Sequence, residues 1–167
     1  MSIDAAVTAH LRGLSSFDGQ NLSNTAWSFS ALGLVNTPLL NAIASSAIPT
    51  ITALSDQDLT NTFWAFATLH FEHSPLLDAI SSQAIRKLSQ IGPQGLANTA
   101  WAMATLPLHN GPLMDALASA AITTLYDFRM QELANTSWSF STLDLCNRPL
   151  MEALSAAAIR IIAKGEG

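Results

Sequence analysis

His70 and His73 flank Glu72, with His109 further along, and these are the residues whose types first suggest chemistry. Imidazole and carboxylate groups can hold a transition metal, but zinc sites draw Cys or paired His from several elements at fixed spacings. The corresponding positions elsewhere in the chain hold Gly33, Asn36 and Asp144, so the pattern as a whole does not need a metal. The histidines read as exposed loop residues, and no metal or other cofactor is expected. Catalysis finds no support either. The sequence has no GxSxG, Walker A, HExxH or glycine-rich phosphate loop, and its carboxylates are scattered. An active site needs perturbed groups converging in a pocket, so the chain is not expected to be an enzyme. The lone cysteine, Cys146, excludes an intrachain disulfide framework and suits a reducing compartment.

Aromatic and amide side chains recur with strict spacing. Trp27, Trp64, Trp101 and Trp138 are each 37 residues apart. The same step relates Asn24, Asn61, Asn98 and Asn135, each followed by Thr, and also Pro38, Pro75, Pro112 and Pro149. A tryptophan column could stack nucleic-acid bases. Because each Trp sits among apolar residues and recurs with Phe29, Phe66, Met103 and Phe140, it is read first as core between repeats. The Asn-Thr pair lowers helix propensity in mid-helix, so something must compensate. One reading is a ladder of buried amides bonded to a neighbouring repeat. The other is a concave strip on which the amides bond a ligand. Beside it lie columns that vary: Asn21, Asp58, Gly95 and Glu132 before the conserved Leu, and Ser28, Ala65, Ala102 and Ser139 after the Trp. Such positions suit repeat-specific readout. Arg12, Arg86 and Arg160 share a column on a second helix, where exposed charge is most often simply solvated.

The elements that position these columns follow from the period. In frame, the segments read QNLSNTAWSFSALGL, QDLTNTFWAFATLHF, QGLANTAWAMATLPL and QELANTSWSFSTLDL, and then PLLNAIASSAI, PLLDAISSQAI, PLMDALASAAI and PLMEALSAAAI, with no insertion between copies. An ungapped period of this length signals a solenoid or similar array. Each copy reads as two helices. Helix A, residues 20–34, is apolar in two sectors, one with Leu22, Ala26, Phe29 and Leu32 and one with Trp27 and Leu34. It leaves a narrow polar strip of Gln20, Asn21, Asn24 and Ser28. Helix B runs to about residue 52, with Thr37 or Ser74 as N-cap and the following proline at the first helical position. Its apolar arc is Leu39, Leu40, Ile43, Ala47 and Ile51. The connections suit antiparallel neighbours. The expected fold is therefore all-α, an α-solenoid of stacked helical hairpins. It has a half repeat of helix B type with its connection over residues 1–19, then repeats over 20–56, 57–93, 94–130 and 131–167, all in one domain.

Composition agrees with a packed chain. Apolar residues make up 49% of the 167 positions and charged residues 11%, which is not the balance of a disordered tail. The net charge of −5 argues against a strongly basic nucleic-acid domain or a polybasic membrane-surface protein. No apolar run approaches the roughly 20 residues of a spanning helix, so no membrane partner is expected. The first residues, MSIDAAVTAHLRGLSSF, resemble neither a signal peptide nor an Arg-rich transit peptide.

The repeat QxLANTxWxxxTL…PLxxAL resembles the heptatricopeptide and octotricopeptide helical-hairpin repeats, and most of all the LANTAWAFATL arrays. It is similar to repeats of RAP-domain and FAST-kinase-like organellar RNA-binding proteins. It is also similar to a helical-repeat subunit of the kinetoplastid RNA-editing substrate-binding complex. The resemblance covers residues 20–167 fully and 1–19 in part. It implies single-stranded RNA binding and RNA processing, editing or stability in a mitochondrion or plastid, with protein subunits of an RNA-processing complex as further partners. Without that resemblance the compartment would be read as cytoplasmic. The residues it would engage are Asn21, Asn24, Ser28, Asp58, Asn61, Asn98, Glu132, Asn135 and Ser139 on helix A, with Arg86 and Arg160 on helix B. The rival reading is a protein–protein scaffold using the same concave surface. No polar capping helix follows Leu150, Leu154, Ala158, Ile161 and Ile162, so self-association through an uncapped C-terminal end is expected.

Overall fold

A computed structural model describes residues 17–165 of the protein, and the expected half repeat lies almost wholly outside them. The described residues form eight α-helices and no strand. In chain order these are α1 (Gly19–Ala31), α2 (Thr37–Ala47), α3 (Asp56–Thr68), α4 (Ser74–Lys87), α5 (Pro93–Thr105), α6 (Gly111–Thr124), α7 (Met130–Thr142) and α8 (Arg148–Lys164). Short 3-10 turns follow α2 and α6, at Ile48–Thr50 and Leu125–Asp127. The fold class is thus all-α, with the helical hairpins of an α-solenoid repeating every 37 residues. The chain divides into two compact units at Gln83/Ala84, inside α4.

In the first unit α1 packs against α2 and lies along α3. Its buried core includes Leu22, Leu40, Ile43, Leu59, Phe63 and Phe66. In the second unit α5 lies along α7, α6 packs against α8, and each odd-numbered helix packs on its hairpin partner. Leu96, Met103, Leu113, Met114, Phe140 and Leu150 fill its core.

The helix A ends are closed by one device repeated. Leu34 N–H bonds the Phe29 carbonyl at 2.9 Å and Gly33 N–H bonds the Ser30 carbonyl at 3.0 Å. This is the Schellman arrangement, with a left-handed residue just past the helix and an apolar contact across the cap. Gly33, His70 and Asp144 hold that place at φ 64°, 50° and 54°. Pro107, which has no N–H, holds it at 21° and keeps only the longer bond, from Leu108 to Met103. The apolar contact is explicit at Phe66 and Phe71, whose rings meet edge to face at 5.8 Å. Helix A therefore ends at Ala31 rather than Leu34. Leu34 and its equivalents belong to the cap, not to a second helical face.

The N-termini also differ from expectation. Helix B is capped by Asn36, Asn110 and Asn147, whose side chains accept from the N–H groups of Leu39, Leu113 and Leu150 at 3.0 to 3.1 Å. His73 does the same through Nδ1, from Leu76 at 3.3 Å. Thr37 is the first helical residue rather than the cap, and the proline is second. That shift costs nothing, because the missing proline N–H is one the helix start leaves unpaired. At the helix A starts, Leu54, Ile91 and Phe128 are buried five residues before Leu59, Leu96 and Leu133, the spacing of a hydrophobic staple.

Candidate ligand-binding strip

Helix A turns about 100° per residue. Measured from the buried Leu22 column, Ala26 and Phe29 fall within about 40° and face the core, whereas Trp27 falls at about 140°. The Gln20 and Asn24 columns lie at about 160° and 200°, beside the Trp. The structure accordingly corrects the core assignment of Trp27 and Trp138. Trp27 and Trp138 are 49% and 48% exposed, and Trp64 and Trp101 are only partly buried. The core column is the residue one before each Trp, with Ala26, Phe63 and Ala100 buried, and the residue two after it, with Phe66, Met103 and Phe140 buried. Tryptophan forms the border between this core and the solvent strip.

The asparagine column lies on that strip. Asn24 is exposed, and Asn61, Asn98 and Asn135 are half-buried. Within each unit no hydrogen bond of their side-chain amides is formed among the described residues. The Thr of the pair is satisfied locally in two copies, whereas Thr136 Oγ1 in the fourth is buried with no hydrogen-bond partner among the described residues. Thr25 and Thr99 hydroxyls donate to the carbonyls of Asn21 and Gly95 at 2.7 Å, within their own helix. Gln20, Gln57, Gln94 and Gln131 are all exposed, and their amides too are unbonded among the described residues. Gln20 belongs to the polar strip already in the sequence. Its identity in every copy was the available signal.

The varying columns divide by structural duty. Asn21 and Ser28 are exposed. Ser139 is buried and donates to the Asn135 carbonyl at 2.6 Å, so it faces away from any ligand on the strip. Asp58 is bound up in capping: it accepts from Ser55 Oγ at 2.6 Å, while Asp58 N–H donates to Ser55 Oγ at 3.0 Å. Glu132 accepts from Arg129 N–H at 2.9 Å. Both carboxylates sit at helix N-termini, where negative charge is favoured, and neither is a free recognition group.

The arginines lie on helix B rather than on the strip. Arg86 is exposed in the last turn of α4. Arg160 donates Nη2 to the Leu125 carbonyl at 3.2 Å and stacks over Tyr126, 4.5 Å from the ring centroid. It thereby closes a shallow cavity of about 340 Å³ lined also by Ile122, Ala153 and Ala157. The column mate Arg12 lies outside the described residues. His70 and His73 are accounted for by the caps, and among the described residues no group of three or more His, Cys, Asp or Glu side chains is placed to hold a metal. No described helix is long and apolar enough to cross a membrane.

What the strip offers chemically is therefore uncharged: amide donors and acceptors from Gln and Asn beside indole faces, repeated once per hairpin. The family model described as RNA-editing substrate-binding complex 6 protein matches residues 17–164. No individual curated protein matches the chain.

Proposed function

The chain belongs to the RNA-editing substrate-binding complex 6 protein family, and from that premise we propose that it binds single-stranded RNA along the Gln–Asn–Trp strip as a non-catalytic component of mitochondrial RNA editing. The family supports the mitochondrial alternative and lends nothing to the plastid one. One observation carries the assignment of the strip: the Gln and Asn columns are identical in all four copies, yet their amides bond nothing among the described residues. Fold maintenance does not explain that identity, and a ligand met once per repeat does. Amides can pair with the exposed edges of unstacked bases, and half-exposed indoles can stack on their faces. Asn21, Asn24, Ser28, Asn61, Asn98 and Asn135 are the sequence-derived candidates that remain available, and Gln20, Gln57, Gln94 and Gln131 join them. The octotricopeptide-like manner of one base per hairpin is the finer form of this proposal.

The test is a fluorescence titration of the tryptophans with short single-stranded RNAs, comparing the wild type with Gln94→Ala/Asn98→Ala. Saturable quenching that the double variant weakens at unchanged helicity supports the strip. Binding untouched by the variant places the RNA elsewhere. The scaffold reading is favoured by the net charge of −5 and predicts no RNA binding at low salt, with capture of an extended peptide instead.

A further inference from the structure

Arg160 carries a positive charge that meets only neutral groups in its unit. The chain has twelve Asp and Glu against seven Lys and Arg, yet among the described residues no carboxylate pairs with this half-buried guanidinium. Its Nη2 donates to the Leu125 carbonyl at 3.2 Å, and its flat face lies over the Tyr126 ring at 4.5 Å. Most of its N–H donors therefore remain unused. A partly desolvated charge is costly without an opposite one. The bond and the stack hold the guanidinium beside the cavity of about 340 Å³ between α6 and α8, whose other walls are Ile122, Ala153, Ala156 and Ala157. This cavity opens between two successive helices of the stack. It is separate from the groove on the far side of α8, which Met151 and Ser155 line.

Repetition marks the pair as an addition to the scaffold. Ile122 recurs as Ile48, Ile85 and Ile159, and Leu125 as Ile51, Leu88 and Ile162, so the apolar floor belongs to the repeat. The two polar columns do not recur: they hold Thr52 with Arg86 and Ser89 with Thr123 at the preceding junctions. Tyr126 is 86% exposed, so it contributes little to the core. Tyrosine and arginine are the types enriched where a protein grips a partner. One guanidinium matches one planar carboxylate, which its parallel N–H groups can hold bidentately. A phosphate dianion calls for more positive charge, and the exposed Asp127 and Glu152 on the two flanking elements oppose it. We propose that this site takes the C-terminal residue of a partner protein, with an apolar side chain in the cavity and the terminal carboxylate on Arg160. A chain terminus carries both groups on a single residue, which suits so small a cavity. The proposal is independent of RNA binding on the helix A strip.

Titration of the isotope-labelled full chain with the peptide acid Ac-Ala-Ala-Leu, followed by NMR, tests this. Signals of Tyr126, Ala157 and Arg160 should shift saturably. The C-terminal amide of the same peptide should bind about tenfold or more weakly, because it loses the bond to a charged group. N-acetyl-leucine should also bind more weakly than the peptide, since residues before the terminus reach the rim at Tyr126. Arg160→Met should abolish the shifts. Ala156→Glu, at an exposed position one turn before Arg160, supplies an internal carboxylate in the favoured order and should block the site at full helicity. It carries the test should Arg160→Met alter the fold. No saturable shift, an amide as good as the acid, or undiminished binding by Ala156→Glu would each overturn the proposal. So would displacement of the peptide by an equal concentration of inorganic phosphate, which would assign the site to phosphate. N-acetyl-leucine binding as tightly as the peptide would assign it to a free small acid and overturn the protein partner.

Discussion

Ser23 Oγ donates to Asp58 Oδ1 at 2.9 Å, joining α1 to α3 across 35 residues of sequence. The same carboxylate closes the capping box at Ser55, so one side chain both starts a helix and ties it to the preceding hairpin. Gly19 is fitted to this junction. A Cβ there would collide with the Leu54 side chain and touch Asp58.

Asp58→Ala should therefore cost more than an ordinary cap. Losing the reciprocal arm of the capping box costs roughly 0.5–1 kcal/mol, and losing the bond from Ser23, whose hydroxyl can fall back on the Gln20 carbonyl at 3.1 Å, adds about 0.5–1.5 kcal/mol. Urea unfolding should show a loss of about 1–2.5 kcal/mol. Ser23→Ala should cost less, and the double variant should fall short of the sum, because the two groups share one bond. Additive losses would mean that the bond contributes nothing.

Phe66 and Trp138 should separate stability from binding. Phe66 is fully buried, so Phe66→Ala should cost about 3–5 kcal/mol. Trp138 is half exposed and leaves no enclosed cavity, so Trp138→Ala should cost clearly less while weakening RNA binding by about 1–3 kcal/mol if a base stacks on it. Thermal melts and RNA titrations on the same preparations check both. A Trp138→Ala loss equal to that of Phe66→Ala, with affinity per folded molecule unchanged, would restore tryptophan to the core.

The period, the hairpins and the all-α class were legible in the sequence because ungapped repetition fixes them regardless of local detail. Trp27 and Trp138 escape a reading by apolar character alone, because their helical angle sets them beside the Gln and Asn columns. The cap of helix B was misread at Thr37, although the same column holds Gly111 and Arg148, which carry no capping oxygen, while the column before it holds Asn36, His73, Asn110 and Asn147. The duty of Asp58 was not legible, since Ser23 reaches it only after the hairpins stack. The exposed glutamines were readable from repetition alone. What repetition could not show was that their amides would be left unbonded.

His70 tests the left-handed cap. At φ 50° a non-glycine residue is strained, and Gly33 fills the same place without that cost. His70→Gly should raise stability by about 0.5–1 kcal/mol. Chelator should leave the melting curve of the wild type unchanged. A stability loss on either treatment would revive a metal at the histidines.

Salt dependence distinguishes strip recognition from phosphate tracking. For single strands, log K falls with log[salt] at about 0.7 per phosphate neutralised. The strip columns carry no Lys or Arg, and Arg160 is already committed to Leu125 and Tyr126. Binding through amides and indoles should then show a slope of magnitude below about 1.5, corresponding to two phosphate contacts at most. Filter binding of a short single strand at a low and a physiological salt concentration measures it. Arg86→Ala should leave the slope unchanged, because Arg86 lies on helix B, off the strip. A steep slope that Arg86→Ala reduces would move the RNA to the helix B side, and the Gln and Asn columns would then need a different partner.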